Sequence, residues 1–281
     1  MKRTKSILVW LATLTLLIII CLPGLWVVLS SMRDSVEILA KPPVWIPASL
    51  NFSNYTDLFY AGEHGERAVP VMRYFWNSLI ISLVSTAISL FFGMMGGYAF
   101  ARYQFKGKNK IFLWFMLSRT IPGISLSLPL FIIMSRMGII DTKAGIIIVY
   151  VALNLPFTIW LADGYFRQLP KEMSEAARID GCTRLQAFLN VELPLCKSGI
   201  ATAGIFAFLI SWNEYAIVSN LSRSVDSKTL TVGLMDFTAQ FTVDWAGMCT
   251  LAVVIIIPAL IFTFLIQKHL ISGLTVGGVK G

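Results

Sequence analysis

The residues best placed to do work outside a membrane form one polar stretch, Glu175-Ala176-Ala177-Arg178-Ile179-Asp180-Gly181, closed by Val191-Glu192-Leu193-Pro194. It interrupts a sequence that is otherwise apolar. Pro170 suits the first turn of a helix, where its missing N–H is not needed. Residues 171–180 are good helix formers, with Met173, Ala176 and Ala177 on one face, and Gly181 stands where a helix often ends in a left-handed residue. Thr183, followed three residues later by Gln186, predicts a capping box for a second short helix. That helix carries Leu185, Phe188 and Leu189 at helical spacing and is expected to stop at Pro194. Neither helix is long enough to span a bilayer, so the pair is expected to lie on the membrane surface. On pattern alone, an ordinary amphipathic loop fits equally well.

Chemistry of the bond-breaking kind finds no support. No G-x-x-x-x-G-K-[ST] phosphate loop occurs, so the chain is not expected to hydrolyse ATP itself. His64 and His269 are far apart and fall in opposite loops, and Cys21, Cys182, Cys196 and Cys249 are scattered without C-x-x-C spacing. Neither a metal site, a disulfide framework nor a catalytic residue follows from them. The function must lie in moving something.

The elements that hold the polar stretch read as membrane. Of 281 residues, 56% are hydrophobic and 14% charged, too few charges for an ordinary soluble domain. The net charge of +8 is distributed as a topology signal, and nucleic acid is not an expected partner. Six spans are expected, near residues 7–29, 76–100, 111–134, 144–166, 198–219 and 247–266. The first is too long in its apolar core for a signal peptide and is read as uncleaved, bent near Pro23-Gly24. In the second, Gly93, Gly97 and Ala101 have the spacing that lets two helix backbones touch. Pro122-Gly123, Pro129, Pro156 and Pro258 are expected to bend the helices that contain them. Six spans put both termini on one side. That side carries fourteen Lys or Arg against eight on the other, which places both termini and the polar hairpin in the cytoplasm.

Glu-Ala-Ala, three residues, Gly, nine residues, then Val-x-Leu-Pro resembles the EAA signature of bacterial ABC importer permeases, with Val191 where isoleucine is usual. The resemblance runs from about Met72 to the C-terminus and looks nearest to the carbohydrate permeases of the maltose type. It implies an all-α membrane protein with the type I ABC importer permease fold and a cytoplasmic coupling-helix hairpin. The expected organisation is a first transmembrane helix and external loop over 1–71, a permease core over 72–270 with the hairpin at 170–195, and a tail over 271–281. By resemblance, Glu175, Ala176, Ala177, Asp180, Gly181 and Pro194 make the surface that a separate ATPase grips. ATP and Mg would be bound by that partner, with no cofactor in this chain. Two copies of the ATPase, a sister permease subunit, an extracytoplasmic sugar-binding protein and membrane lipid are the implied partners, in a bacterial inner membrane.

The resemblance also places the tail from Gly273 in the ATPase dimer, against a plain frayed terminus. It makes residues 220–245, with the run Thr229-Leu230-Thr231-Val232-Gly233-Leu234, an external loop that dips into the binding protein. Polar groups inside spans are functional candidates by default. Arg119 is expected to pair with Asp163 and fix helix register. Asn154, Trp212, Asn213, Glu214 and Tyr215 either line a sugar path or bond helix to helix and anchor the interface. An ion-coupled secondary transporter or a non-transporting scaffold is the competing reading. The absence of an internal repeat and of a mid-membrane carboxylate pair counts against the former.

Overall fold

In lipid every backbone N–H and C=O must be satisfied within the protein, so long apolar segments settle as helices. The computed structural model describes residues 2–47, 49–64, 69–238 and 242–276, and no β-strand occurs among them. The chain runs through α1 (Lys2–Ser30), α2 (Ser35–Ile38), α3 (Ser53–His64), α4 (Val71–Arg102), α5 (Lys108–Ser118), α6 (Gly123–Arg136) and α7 (Lys143–Gln168). Then come α8 (Lys171–Ile179), α9 (Arg184–Ala187), a π-helical turn (Phe188–Glu192) and α10 (Leu193–Leu195). The rest is α11 (Lys197–Trp212), α12 (Val218–Leu221), α13 (Leu230–Gly233), a 3-10 turn (Leu234–Phe237) and α14 (Trp245–Val276). Four helices, α1, α4, α7 and α14, are each long and apolar enough to cross a membrane. Two bent pairs, α5 with α6 and the α9–α10 segment with α11, raise the number to six if each pair is one span.

Two compact units divide the chain, residues 1–72 with 233–257 and residues 73–232 with 258–281. In the first unit the proline-rich segment after α1 is pinned by the buried Arg33. Its guanidinium donates to Val44 O at 2.6 Å and Trp45 O at 2.7 Å and lies 5.1 Å from the Trp26 ring. Asn54 of α3 donates to Ser31 O and Arg33 O, and Thr250 of α14 also donates to Ser31 O. Polar side chains thus satisfy the carbonyls left open where α1 ends.

In the second unit α4 lies directly against α7. A Cβ on Gly93 would run into Thr158, and one on Gly97 into Ala162. The predicted glycine face is therefore a backbone contact. Lipid tails are as apolar as Leu, so such close packing, rather than hydrophobic drive, holds the helices together. Between α6 and α7, Asp141 adopts a left-handed φ of 59°. Its carboxylate accepts the N–H groups of Arg223 and Ser224 and the Ser227 hydroxyl. Burial alone would raise its pKa; these hydrogen bonds outweigh it and hold the carboxyl at about 2.

Two expectations need correction. The third span is not one bent helix: α5 and α6 meet at 100°. Pro122 lacks an N–H and pushes the residue before it out of the helical region, and here that ends the helix outright. The fifth span stops at Trp212, not Ser219, because the Glu214 carboxylate accepts the N–H groups of Ile217 and Val218 and starts a new short helix. The run Thr229–Leu234, placed by resemblance in an external loop, packs closely against the rest of its unit in its first four residues. Thr229, Leu230, Thr231 and Val232 are buried, with Leu230 N–H bonded to Ser78 Oγ and Thr231 Oγ1 to Glu214 O.

Candidate functional site: the surface hairpin

Leu169 leaves α7 in an extended conformation, and Pro170 caps α8 at φ −56°. The nine residues of α8 bury only Ala177, while Glu175, Ala176, Asp180 and above all Ile179, 85% exposed, face outward. Its end is a Schellman motif: Cys182 N–H bonds Ala177 O at 3.0 Å and Gly181 N–H bonds Arg178 O at 3.2 Å, with Gly181 at φ +93°. The next helix opens with the predicted capping box, Gln186 N–H to Thr183 Oγ1 at 3.2 Å and Thr183 N–H to Gln186 Oε1 at 2.8 Å. Both open ends at this corner are closed by the hairpin's own groups. The element therefore holds its shape without a partner.

Pro194 does not stop the second helix. The chain widens into the π-helical turn 188–192, passes through Pro194 in α10 and bends by 77° into α11. The wider turn points Glu192 inward, where its side chain is wholly buried. Arg102, at the end of α4, places Nε 3.0 Å from Glu192 Oε1 and donates from Nη2 to Leu169 O at 3.2 Å. One arginine thus holds both the entry and the exit of the hairpin. Arg167, near the end of α7, returns the contact by donating to Phe100 O of α4 at 3.2 Å. Each helix end receives an arginine from the other, which suits the partial negative charge of a helix C-terminus. Between this root and α8 lies a cavity of about 230 Å³ lined by Tyr98, Arg102, Tyr103, Lys171, Glu175 and Arg178, among others.

The predicted Arg119–Asp163 pair is not formed. Asp163 instead accepts two hydrogen bonds from Arg167 Nε, at 2.9 and 2.8 Å, one helical turn away. Arg119 closes α5 and lies over the Phe157 ring at 4.6 Å. Asn154 is buried and donates to Ser211 Oγ at 2.8 Å and Ala207 O at 3.3 Å, a bond between α7 and α11. Trp212 is buried too, stacked on Phe208 at 5.5 Å. Asn213 folds back onto Leu209 O, and Tyr215 stands 41% exposed. Of this group Glu214 lines a second cavity, of about 370 Å³, together with Arg119. No cluster of His, Cys, Asp and Glu able to hold a metal occurs among the described residues.

The profile of the binding-protein-dependent transport system inner membrane component matches residues 89–276, which takes in the whole hairpin. The chain belongs to this permease family. It is 34% identical over 281 residues to the inner membrane ABC transporter permease protein YcjP of Escherichia coli, covering 100% of this chain and 99% of that protein. To the sulfoquinovosyl glycerol transport system permease protein SmoH of Agrobacterium fabrum it is 31% identical, covering 92% and 88%. To the arabinooligosaccharides transport system permease protein AraQ of Halalkalibacterium halodurans it is 34% identical, covering 100% and 99%. In fold it is similar to a bacterial ABC transporter involved in the import of the acidic polysaccharide alginate, with TM-score 0.78 and 21% identity over 95% of this chain and 96% of that one.

In this permease the motif residues on α8 were legible from spacing, and the residues that root the hairpin were not. Glu192 sits inside the closing Val-x-Leu-Pro run, flanked by Val191 and Leu193. A lone carboxylate among apolar neighbours at helical spacing is the signal that it turns inward and needs a cation. Which cation, only the packing of α4 against α7 decides.

Proposed function

We propose that this permease is one of two such subunits of an ATP-driven importer of a carbohydrate or sugar derivative, and that α8 is the helix gripped by a separate ATPase. The observation that carries this is the hairpin itself: a self-capped helix that presents Glu175, Ala176 and Asp180 outward while Arg102 and Glu192 lock its root to α4. A short helix held at both ends works as a lever. When a partner ATPase dimer closes on bound ATP and Mg, it displaces α8, and the displacement passes through Arg102 to α4 and through Leu169 to α7. The two helices share a backbone contact, so they move together between inward and outward states. ATP chemistry stays in the partner, and this chain supplies mechanical coupling and half of a pathway. The names of the sulfoquinovosyl glycerol and arabinooligosaccharide permeases support a carbohydrate cargo delivered by an extracytoplasmic binding protein. The excess of basic residues on the terminal side supports a cytoplasmic hairpin in a bacterial inner membrane. The proposed role of the tail falls largely on residues 277–281, which lie outside the described residues.

The test is reconstitution in proteoliposomes with the sister subunit, the ATPase and the binding protein. Loaded binding protein is expected to stimulate ATP hydrolysis, and uptake is expected to stop when hydrolysis is blocked. Uptake driven by an ion gradient without ATP would sink the reading.

A further inference from the structure

The break between α5 and α6 leaves a segment of irregular backbone, Arg119 to Pro122, in the middle of a candidate span. Ser118, Arg119, Thr120 and Ile121 are all exposed on this chain. The hydroxyls are satisfied locally, Ser118 by Phe115 O and Thr120 by Leu117 O. The guanidinium is not: among the described residues no carboxylate forms an ion pair with it, and its close contact is the face of Phe157. Open backbone and a lone arginine are tolerated at membrane depth only against protein or water, never against lipid tails.

Two cavities flank this point. One, of about 370 Å³, is lined by Ser118, Arg119, Leu153, Pro156 and Glu214 among others. The other, of about 650 Å³, is lined by Phe112, Phe157, Trp160, Gly164, Gln168 and Phe206 among others. Leu153, Pro156, Phe157, Trp160, Gly164 and Gln168 follow helical spacing, so both cavities lie along one stripe of α7. Phe157 is the junction, with Arg119 on its face, Trp160 at 5.8 Å and Phe206 at 5.5 Å. Glu214 is committed to the N–H groups of Ile217 and Val218 and does not take up the arginine.

We propose that this stripe of α7 is the chain's wall of a water-filled transport path, in which Arg119, Phe157 and Trp160 form a subsite for an acidic carbohydrate. The inference rests on the permease reading and adds the substrate class and the residues. Guanidinium presents a planar fork of donors and no acceptor, which matches the paired oxygens of a carboxylate, sulfonate or phosphate group. A charged acceptor makes a stronger bond to it than a neutral hydroxyl does. The aromatic faces beside it give the apolar side of a sugar ring a surface to lie on, the usual division of labour in a ligand pocket.

The experiment uses the assembled transporter in proteoliposomes, with Cys21, Cys182, Cys196 and Cys249 replaced by Ser. Thr120→Cys and Trp160→Cys are introduced singly, with Phe92→Cys on exposed α4 surface as a lipid-facing control. Each is reacted with an anionic and a cationic membrane-impermeant methanethiosulfonate, and with permeant N-ethylmaleimide. Both charged probes are expected to reach Thr120→Cys and Trp160→Cys and not Phe92→Cys. Adding Arg119→Gln is expected to slow the anionic probe at Thr120→Cys by about threefold or more without slowing the cationic one, and Arg119→Lys to restore the rate. Reaction with N-ethylmaleimide alone means that lipid or the sister subunit covers the stripe and overturns the proposal. Anionic and cationic rates unaffected by Arg119→Gln mean that another charge already neutralises the arginine, which overturns it equally. Should either result occur while an ATPase still co-purifies, the subsite alone falls; loss of the ATPase from the wild-type assembly removes the permease reading beneath it.

Discussion

Arg102 and Arg119 sit at opposite extremes of how a cation is kept in an apolar protein. Arg102 is nearly enclosed, with a buried carboxylate 3.0 Å away and a helix carbonyl at 3.2 Å. Arg119 lies on a broken helix, exposed on its own chain, with an aromatic face for company. The first cation has its ion-pair partner inside the fold, so its surroundings are a joint. The second meets no carboxylate among the described residues, which is why its surroundings are proposed as a site. A charge's missing partner tells as much about function as a charge's presence.

The sharpest way to break this contrast is to remove each partner in turn. Glu192→Ala strands Arg102 in a buried place and is expected to cost about 3–5 kcal/mol, read as a lowered thermal unfolding temperature in detergent. Arg119→Gln is expected to change stability by less than about 1 kcal/mol, since nothing buried loses its partner. If the two variants unfold at the same temperature, the distinction between joint and site is wrong. Next in size, Gly97→Leu forces a side chain into Ala162 of α7 and is expected to cost about 1–3 kcal/mol. It should also spread the joint enough to lower ATP-coupled uptake, whereas a normal uptake rate would mean that α4 and α7 need not move as one.

Smaller again is the cap. Thr183→Ala opens the N-terminus of α9 and is expected to cost about 1 kcal/mol, with α8 still helical and the ATPase still bound. Loss of ATPase binding in this variant would show that the corner, not α8, is the gripped surface. A last effect, read against pH, belongs to Asp141. Its folded pKa of about 2 lies below the ordinary aspartate value of about 3.9, so its contribution is complete above about pH 4 and fades as pH falls through about 2. Asp141→Asn should flatten the pH dependence of the unfolding temperature over that window, and an unchanged slope would mean that Asp141 contributes nothing to it.

Much of the hairpin could be read from the chain alone. Gly181, Thr183 and Gln186 act on backbone groups within a few residues of themselves, and such local hydrogen bonds leave their mark in spacing. Gly93 and Gly97 were legible because a missing side chain at helical spacing has one main use in a membrane. Arg119 was misread for the opposite reason. Charge and depth named Asp163 as a partner, but Arg167 lies one turn from Asp163 on the same helix and reaches it first.

What residue order determined by itself was therefore the apolar helical segments, the caps, the glycine contact and the short hairpin helix, each a consequence of interactions within a turn or two. What only the tertiary structure decided was the pairing of charges. Arg102 meets Leu169 and Arg167 meets Phe100 across sixty-seven residues, a meeting that depends on how α4 and α7 are rotated about their axes. Periodicity gives the face of a helix but not its neighbour, because any face can be satisfied by several partners until packing removes the choice.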